Sequence, residues 1–278
     1  MTRSVDIDRL ASILKQAAAA EILPRFRRLE PDDIRRKTSA IDLVTEADEA
    51  AERFIRAECA TLWPQATFVG EESVAADPDL LAAVPEADMA IVVDPIDGTA
   101  NFAAGAPVFA VMASVVVKGE TVAGLIYDPL GDDVMLAERG AGALLKRADG
   151  SSAKIAVAEA VPLGDMVGAV SLTYFQPDDK RDLFGRLSQV RVVANYRCAG
   201  HEWRLAASGH LHFLAYQKLM PWDHLAGALI YSEAGGLVLR LDGGPYLPQH
   251  TSGGLIAAPD RESWLVLRRE VFGDLKPV

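Results

Sequence analysis

The stretch MAIVVDPIDGTANF, residues 89–102, constrains the fold of this chain more than any other part of its sequence. The four apolar residues at positions 90–93 predict a buried strand, because a short apolar run bounded by turn-forming residues is typical of a sheet interior. Asp94 and Asp97 follow at once, and buried carboxylates are costly unless something positive lies between them. The fold therefore has to bring a positive group to the end of this strand.

The length and composition of the chain indicate an ordinary folded protein. With 278 residues, of which 50% are hydrophobic, it can bury one large core or two smaller cores in contact. Its longest apolar runs, such as residues 109–117, are shorter than the roughly 20 residues that cross a bilayer. Asp6, Asp8 and Arg9 interrupt the segment where a signal peptide would be apolar. We therefore expect a cytoplasmic protein with no membrane partner.

The formal net charge of −11 restricts the partners of the chain. It argues against nucleic acid as the main partner, because phosphate backbones are bound by basic stripes. The same charge would repel a small phosphorylated metabolite unless cations lie at the site, which points to a metal. A zinc site of the thiolate kind is not expected, since Cys59 and Cys198 have no CxxC neighbour and are assigned to packing.

Two kinds of pattern divide the chain into halves. For residues 1–152 we expect helices followed by a mainly antiparallel sheet, which is an α+β arrangement. The helices are predicted at residues 5–28, with a kink at Pro24, and at residues 45–62. Residues 153–278 alternate between strands and helices, which is an α/β arrangement. Because no low-complexity linker separates the halves, we expect a wide interface with a ligand cleft between them.

Acidic residues gather where apolar runs end or helices begin: Asp42 and Asp48, Glu71 and Glu72, Asp94 and Asp97, and Asp223. Taken singly, each cluster fits a helix cap or a solvated turn equally well. The pair after the apolar run is harder to dismiss, since Asp97 can converge with Asp94 while Gly98 and Thr99 open a helix with exposed N–H groups. Oxygen ligands without histidine or cysteine favour Mg²⁺. The sequence therefore predicts a Mg²⁺ site at this pair.

Four motifs resemble those of the inositol monophosphatase family, which comprises Mg²⁺-dependent, lithium-sensitive phosphomonoesterases. They are KTSAIDLVTEAD at residues 37–48, GEES at 70–73, DPIDGTANF at 94–102 and PWDHLAGALIYSEAGG at 221–236. The motifs occur in the family's order, and the long central motif is highly specific. The resemblance implies a layered αβαβα sandwich, hydrolysis of a small phosphomonoester by a water that two Mg²⁺ ions activate, and a homodimer.

The resemblance also implies a set of metal ligands, most of them in residues 1–152. One Mg²⁺ is held by Glu71, Asp94 and the Ile96 carbonyl, and a second by Asp94, Asp97 and Asp223. A third, weaker ion can lie near Glu71. Residues 153–278 thus contribute one ligand and the substrate pocket.

Catalytic roles carry over from the same motifs. The backbone N–H groups of Gly98 and Thr99 would receive the phosphate. Thr99 and Asp48 would orient or deprotonate the attacking water, with Glu71 beside it. Ala100 stands where the family has a second threonine, which removes a hydroxyl but leaves the backbone donor.

The substrate pocket departs from the inositol-specific pattern. Inositol-preferring members carry a glutamate seven residues before the aspartate of the WD motif, where this chain has Tyr216, and Glu202 replaces a residue that is usually small. Together with Asp97, these residues would face the substrate. Lys218 and Gln217 suit a second anionic or amide-like group, whereas the acidic Glu202 favours a cationic or hydroxyl-rich leaving group. We expect a sugar phosphate, a nucleotide 3′-phosphate or histidinol phosphate to be preferred over inositol 1-phosphate. The alternative is that Tyr216 simply packs in the core.

Two other functions stay open. An aspartyl-phosphate phosphatase needs a nucleophilic aspartate in a DxDx[TV] pattern after a strand. The spacing here is DxxD at Asp94 and Asp97, and the DxD at Asp6 and Asp8 lies in a predicted helix. A non-catalytic partner-binding protein on a phosphatase fold is the other alternative, although such a protein would have no need of the complete ligand set.

Overall fold

A computed structural model describes residues 5–37, 43–273 and 275 of the chain. Asp42, one of the acidic residues singled out in the sequence, lies outside these residues. No helix in the described ranges combines the length and the apolar composition that a membrane crossing requires.

Helices occur throughout these ranges: α1 (Ile7–Ala17), α2 (Glu46–Leu62), α3 (Glu71–Ala76), α4 (Leu80–Glu86), α5 (Thr99–Ala103), α6 (Pro177–Leu187), α7 (Ala199–Ala207), α8 (Pro221–Glu233) and α9 (Arg261–Val266). Single π-helical turns extend α1 over Ala18–Ile22 and α9 over Leu267–Val271. Short 3-10 turns cover Pro31–Asp33 and Leu163–Asp165.

The strands belong to one small and two larger sheets: β1 (Ile34–Arg36), β2 (Leu43–Thr45), β3 (Thr67–Gly70), β4 (Ala90–Asp97), β5 (Ala110–Val117), β6 (Glu120–Asp128), β7 (Asp133–Glu138), β8 (Ala143–Arg147), β9 (Ser152–Lys154), β10 (Val167–Val170), β11 (Val192–Ala194), β12 (Phe213–Tyr216), β13 (Leu237–Arg240) and β14 (Leu255–Ala258). The small sheet pairs β1 with β2.

The largest sheet has seven strands in the order β3-β4-β5-β6-β7-β8-β9. Its first pair is parallel and every later pair is antiparallel. Antiparallel neighbours can follow one another through short turns, which is why the strands from β5 onwards lie side by side in chain order. The predicted antiparallel sheet is confirmed, with one parallel pair at its edge.

The second large sheet has five strands in the order β11-β10-β12-β14-β13. β10 is parallel to β11 and β12, whereas β14 is antiparallel to its two neighbours. Parallel neighbours need crossover connections, and α6 and α7 supply them. The predicted alternation of strands and helices is therefore confirmed. The boundary predicted between residues 152 and 153 falls within β9, and the division into two halves stays a prediction.

Five layers follow from the way helices cover the two sheets. α1 and α2 pack on one face of the seven-stranded sheet, in a cluster that includes Leu14, Ile55 and Val93. α7 and α8 fill the space between the sheets, where Trp203 shares a cluster with Leu214. α6 and α9 cover the outer face of the five-stranded sheet. This is the αβαβα sandwich that the resemblance implies.

The two predicted helices of the first half differ in accuracy. α2 is confirmed, and a reciprocal pair of hydrogen bonds between Thr45 and Asp48 caps its first turn. The N-terminal helix is shorter than predicted, because α1 and its π turn end at Ile22 and residues 23–27 form turns. Pro24 therefore lies beyond the helix, as expected for a residue without an N–H group, and does not kink it.

Gly227 allows α8 to approach α7 closely. A Cβ atom built on Gly227 would lie 2.1 Å from Cγ of Trp203, whose side chain is fully buried. Protein interiors are close-packed, so a contact this short requires the indole or a helix to move. The absence of a side chain at Gly227 is thus a condition for the packing of the central layer.

We predict that Gly227→Ala lowers the free energy of unfolding by about 1–2 kcal/mol, because the cost of overpacking exceeds the helix propensity that alanine gains. Gly185→Ala is the matched control, since Gly185 also lies inside a helix and its built Cβ meets no heavy atom within 4 Å. The control should raise the free energy of unfolding by about 0.5–1 kcal/mol. Urea unfolding measures both variants, and equal stability of the two would contradict the close approach.

Candidate metal centre and active site

A bulge in β4 brings two carboxylates to one side of the sheet. Asp94 and Asp97 are three residues apart, so a regular strand would point them to opposite faces. The pairing with β5 is irregular at this point, since Asp94 lies opposite Met112 and Asp97 opposite Ala110. β4 thus uses one residue more than β5 between the two pairs, which is the geometry of a β-bulge. The extra residue reverses the direction of the second side chain.

The two aspartates meet a third carboxylate from the central layer. One carboxylate oxygen from each of Asp94, Asp97 and Asp223 lies within 4.8 Å of the other two. Asp223 is in the first turn of α8, where the helix dipole favours a negative charge. Asp94 is only 2% exposed and Asp97 only 8%. The structure therefore places three of the predicted ligands in one cluster.

This cluster is electrostatically unfavourable without a cation. Burial raises the pKa of Asp94 well above its usual range, and the charges of Glu71, Asp97 and Asp223 raise it further. Burial and the charge of Asp97 likewise raise the pKa of Asp223. Carboxylates that repel one another in this way gain most from a bound divalent cation, and an all-oxygen donor set suits Mg²⁺. The donors present thus fit the predicted metal.

Asp97 also connects the metal cluster to α7. Its Oδ1 accepts a hydrogen bond of 3.2 Å from the Ala199 N–H, and its Oδ2 accepts one from the Gly200 N–H. The Cys198 thiol lies 3.0 Å from Oδ2 and donates to it. Cys198 was expected to serve packing alone, and no sequence signal marks its contact with a residue 101 positions away. Cys59, in contrast, is buried in the core as predicted.

Glu71 lies beside the cluster and is held by a lysine. It lines the same cavity as the three aspartates of the cluster, and its Oε1 is 2.7 Å from Nζ of Lys37. The same ammonium lies 2.6 Å from Oε1 of Glu72. Burial lowers the pKa of Lys37, but the two glutamates outweigh this effect, so that the pKa is raised and the lysine stays charged. From the sequence, Lys37 was predicted only as the start of a motif.

The backbone that carries Glu71 is fixed by another buried carboxylate. Oε2 of Glu52 accepts a hydrogen bond of 2.7 Å from the Glu72 N–H, and Oε1 accepts one of 2.8 Å from the Ser73 N–H. These are free N–H groups of the first turn of α3, which need an acceptor. Glu52 therefore anchors the helix start that presents Glu71.

Thr99 and Asp48 form a hydrogen-bonded pair next to the cluster. Thr99 Oγ1 lies 3.0 Å from Asp48 Oδ1 and 3.0 Å from the Ile96 carbonyl oxygen. Asp48 Oδ2 accepts from the Thr45 N–H at 2.9 Å, which fixes the carboxylate. Burial raises the pKa of Asp48 to about 7, although hydrogen bonds from Thr45 and Thr99 oppose the shift. A carboxylate of this pKa can accept a proton near neutral pH.

Gly98 makes the turn from the strand to α5. Its φ of +89° is in the left-handed region, where residues with a side chain are rarely found. A Cβ at this position would also lie 2.9 Å from the carbonyl oxygen of Val108. Gly98, Thr99 and Ala100 line the cavity, as the predicted phosphate site requires.

The cavity has a volume of about 590 Å³ and is lined by residues of both large sheets and their connections. Its acidic part is formed by the carboxylates described above. Its other wall carries Glu202 and Tyr216, which are 2% and 4% exposed. Tyr216 donates a hydrogen bond of 2.7 Å to Oε2 of Glu202, and the Tyr196 N–H donates one of 2.8 Å to Oε1. Burial raises the pKa of Glu202 to about 7.

Tyr216 combines the two alternatives that the sequence left open. It lines the cavity, and it also packs in the core against Trp203 and His224, with ring centroids 5.8 and 4.4 Å away. His224 receives a hydrogen bond from the Trp203 indole on Nδ1 at 3.4 Å and donates through Nε2 to the Lys218 carbonyl at 3.1 Å. This network assigns a neutral imidazole. Burial accordingly lowers the pKa of His224 to about 3.

Known proteins share this arrangement of fold and motifs. The sequence model of the inositol monophosphatase family matches residues 6–270. A Thermotoga maritima protein named fructose-1,6-bisphosphatase/inositol-1-monophosphatase is 29% identical over 213 residues, covering 76% of this chain and 77% of that protein. A Vibrio cholerae protein named Nus factor SuhB is 32% identical over 230 residues, 79% of each chain. The crystal structure of extragenic suppressor protein SuhB from Bartonella henselae superposes with a TM-score of 0.81 at 25% identity, covering 97% of this chain and 99% of that one. The chain therefore belongs to the inositol monophosphatase family.

Proposed function

We propose that this protein is a Mg²⁺-dependent phosphomonoesterase, in which a water molecule attacks a small phosphomonoester and inorganic phosphate and an alcohol are released. The family comprises phosphomonoesterases in general, and the reaction of this chain is argued from its own site. One observation carries the proposal: buried carboxylates that repel one another converge beside the hydrogen-bonded pair of Thr99 and Asp48. A divalent cation bound by these carboxylates would offset their repulsion and attract a phosphate group.

We assign two Mg²⁺ ions to the residues named from the sequence: Glu71, Asp94 and the Ile96 carbonyl for one ion, and Asp94, Asp97 and Asp223 for the other. Bound Mg²⁺ would supply Lewis-acid stabilisation of charge on the phosphate and the leaving oxygen and would make water more acidic. The ammonium of Lys37 lies at Glu71, where a third ion was expected, and holds that carboxylate in place. The proposal gives roles to two ions, and the third near Glu71 stays a prediction.

The residues of the chain itself position and deprotonate the water. When Thr99 donates its hydroxyl hydrogen to Asp48, its oxygen keeps lone pairs that can accept a hydrogen bond from water. Asp48 cannot swing away, because its other oxygen is held by Thr45. The proton released by the water can pass through the hydroxyl of Thr99 to Asp48. Glu71, which Lys37 holds in place, is the other carboxylate that would border this water.

The alternative enzyme class has less support from the geometry. The nucleophile of that class is the first aspartate of a DxDx[TV] pattern, which here would be Asp94, yet two residues and not one separate it from Asp97, and its Oδ1 already accepts a hydrogen bond of 3.0 Å from the Ile96 N–H. Asp6 caps α1 by accepting hydrogen bonds from the N–H groups of Asp8 and Arg9, and it is not among the cavity residues. Mass spectrometry after trapping with a phosphate analogue distinguishes the two mechanisms, since only the alternative yields a covalent aspartyl adduct.

A non-catalytic role is the second candidate, because several relatives carry the name Nus factor SuhB. That name applies to those proteins and mentions no phosphate ester as a substrate. Phosphate release with and without Mg²⁺ separates this candidate from the proposed one. The absence of a nucleic-acid partner, the homodimer and the cytoplasmic location stay predictions.

Asp94→Asn should reduce kcat/KM for phosphate release at least about a thousandfold, because the variant keeps the shape of the side chain but loses a charge that both ions would share. In EDTA the same variant should melt at a higher temperature than the unmodified protein, since one repelling charge is gone from the buried cluster. Added Mg²⁺ should raise the melting temperature of the unmodified protein much more than that of the variant.

Asp149→Asn is the control for this experiment, because it makes the same chemical change at an exposed turn between β8 and β9. It should behave like the unmodified protein in both assays. Normal turnover by Asp94→Asn in Mg²⁺ would contradict the ligand assignment, whereas a lower melting temperature in EDTA would contradict the repulsion within the cluster.

Thr99→Ala should slow hydrolysis by about a hundredfold or more while the affinity for Mg²⁺ changes little, because the hydroxyl orients water and holds no ion. Thr99→Ser is the matched control, since it keeps the hydroxyl that reaches Asp48 and should retain most of the activity. Steady-state kinetics and calorimetric titration with Mg²⁺ give the two readouts. A collapse of Mg²⁺ affinity in Thr99→Ala would place Thr99 among the metal ligands instead.

A panel of phosphomonoesters should show that inositol 1-phosphate is not the best substrate. The hydroxyl of Tyr216 is already committed to Glu202, so the wall lacks the free carboxylate that would accept hydrogen bonds from ring hydroxyls. Each missing charge-assisted bond is worth about 1–2 kcal/mol, or roughly tenfold in kcat/KM. Sugar phosphates, nucleotide 3′-phosphates and histidinol phosphate complete the panel at saturating Mg²⁺. A tenfold lead for inositol 1-phosphate would show that this interpretation of the wall is wrong.

A further inference from the structure

The mouth of the active-site cavity differs in charge from its interior. The interior carries the buried carboxylates, whereas Thr173, Tyr174, Asn195, Arg197 and Lys218 are exposed residues at its edge. Of the residues that line this cavity in the described ranges, two have a positive charge, Arg197 and Lys218. In a protein with a net charge of −11, two cations at one opening call for a specific explanation.

Lys218 has no carboxylate partner among the residues that the structure describes. Within the described part of the chain it forms no ion pair, and its ammonium lies 4.9 Å from the ring centroid of Tyr174. A cation–π contact of this kind holds a lysine in place without neutralising it. Lys218 and Asp223 both line the cavity. Lys218 thus lies at the edge of the cavity, where its ammonium group can bind an anion.

Arg197 is held by its backbone, and its guanidinium has no partner among the described residues. Its φ of +53° is unusual for a residue with a side chain. Its N–H donates to Asn195 Oδ1 at 2.9 Å, and the preceding carbonyl, that of Tyr196, accepts from Asn101 Nδ2 at 2.8 Å. The guanidinium makes no hydrogen bond or ion pair with any residue whose placement is described. A guanidinium that is not committed to a carboxylate can bind a planar or tetrahedral anion through its paired N–H donors.

We propose that Arg197 and Lys218 form a subsite for a second anionic group, a carboxylate or a phosphate, on the leaving group of the phosphomonoester. This inference rests on the proposed function, because it takes the phosphate to be hydrolysed as bound in the acidic interior. The leaving group then extends towards the mouth, where the two cations lie on its path. Arginine suits planar or tetrahedral anions through paired N–H donors, and lysine adds a point charge.

The competing explanation is that the two cations attract any phosphorylated molecule to a negatively charged protein. General attraction acts on every substrate alike and fades as salt is added. A subsite, in contrast, acts only on substrates that carry the second anion. The two explanations therefore differ in a ratio of rates between matched substrates and not in a single rate.

The test compares two pairs of substrates at saturating Mg²⁺. 3-Phosphoglycerate and glycerol 3-phosphate differ by a carboxylate in place of a hydroxymethyl group, and fructose 1,6-bisphosphate and fructose 1-phosphate differ by a phosphate. We expect kcat/KM to be about tenfold higher for the two-anion member of at least one pair, as a charge-assisted contact provides. The pair that shows the preference identifies the second group as carboxylate or phosphate. No preference in either pair overturns the proposal.

Arg197→Gln and Lys218→Gln should each reduce that preference about tenfold. Arg56→Gln is the matched control, because it removes the same charge from an exposed position on α2 that does not line the cavity. The control should keep the preference of the unmodified protein. Equal losses for both members of a pair in Arg197→Gln and Lys218→Gln would overturn the subsite and favour general attraction.

A failure of the proposed function has a different signature. If no ester on the panel releases phosphate in Mg²⁺, the phosphatase assignment fails, and calorimetric titration of the same four compounds then measures binding directly. A Kd about tenfold lower for a two-anion member, with the difference lost in Arg197→Gln, would still support the subsite. Equal Kd values within both pairs would overturn it.

Discussion

Repulsion between buried carboxylates is the constraint on which this structure depends. Asp94, Asp97 and Asp223 approach within 4.8 Å in surroundings that oppose their ionisation. A flexible chain would relieve the repulsion by moving the carboxylates apart. Here the first two are fixed by a strand in the interior of a seven-stranded sheet, and the third by a helix whose residues are largely buried. The fold thus holds a charged cluster ready for a cation, and the stability of the sandwich offsets its cost.

The same cluster joins parts of the chain that are far apart in sequence. Asp97 belongs to the larger sheet, yet its oxygens accept hydrogen bonds from the start of α7 in the central layer. Asp223 opens α8, and the contact between Gly227 and Trp203 fixes how closely α8 lies to α7. A change in the packing of the central layer would therefore move one proposed metal ligand directly and another through its hydrogen bonds. The packing of the central layer and the geometry of the proposed metal site therefore depend on each other.

The sequence predicted those elements that interactions between neighbouring residues determine. The apolar run before Asp94, the helix capped at Thr45 and the alternation of strands and helices after residue 152 all follow from neighbouring residues, and each was found. The end of the N-terminal helix was missed because a proline that kinks a helix and one that lies beyond it look alike in sequence. The pairing of Lys37 with Glu71, and of Cys198 with Asp97, depends on contacts over 34 and 101 residues. Such contacts exist only once the layers have assembled.

The wall and the mouth of the cavity are under different physical constraints, which bears on how a substrate preference can change. Glu202 and Tyr216 are buried and satisfy each other, so replacing either alone leaves a buried polar group without its partner. Substitutions in this wall are therefore tolerated best in pairs. Arg197 and Lys218 are exposed and make no ion pair within the described residues, so either can be replaced at little cost to folding. Under the proposed function, selectivity for the leaving group can thus change at the mouth one residue at a time, while the carboxylates of the interior are kept for the proposed chemistry.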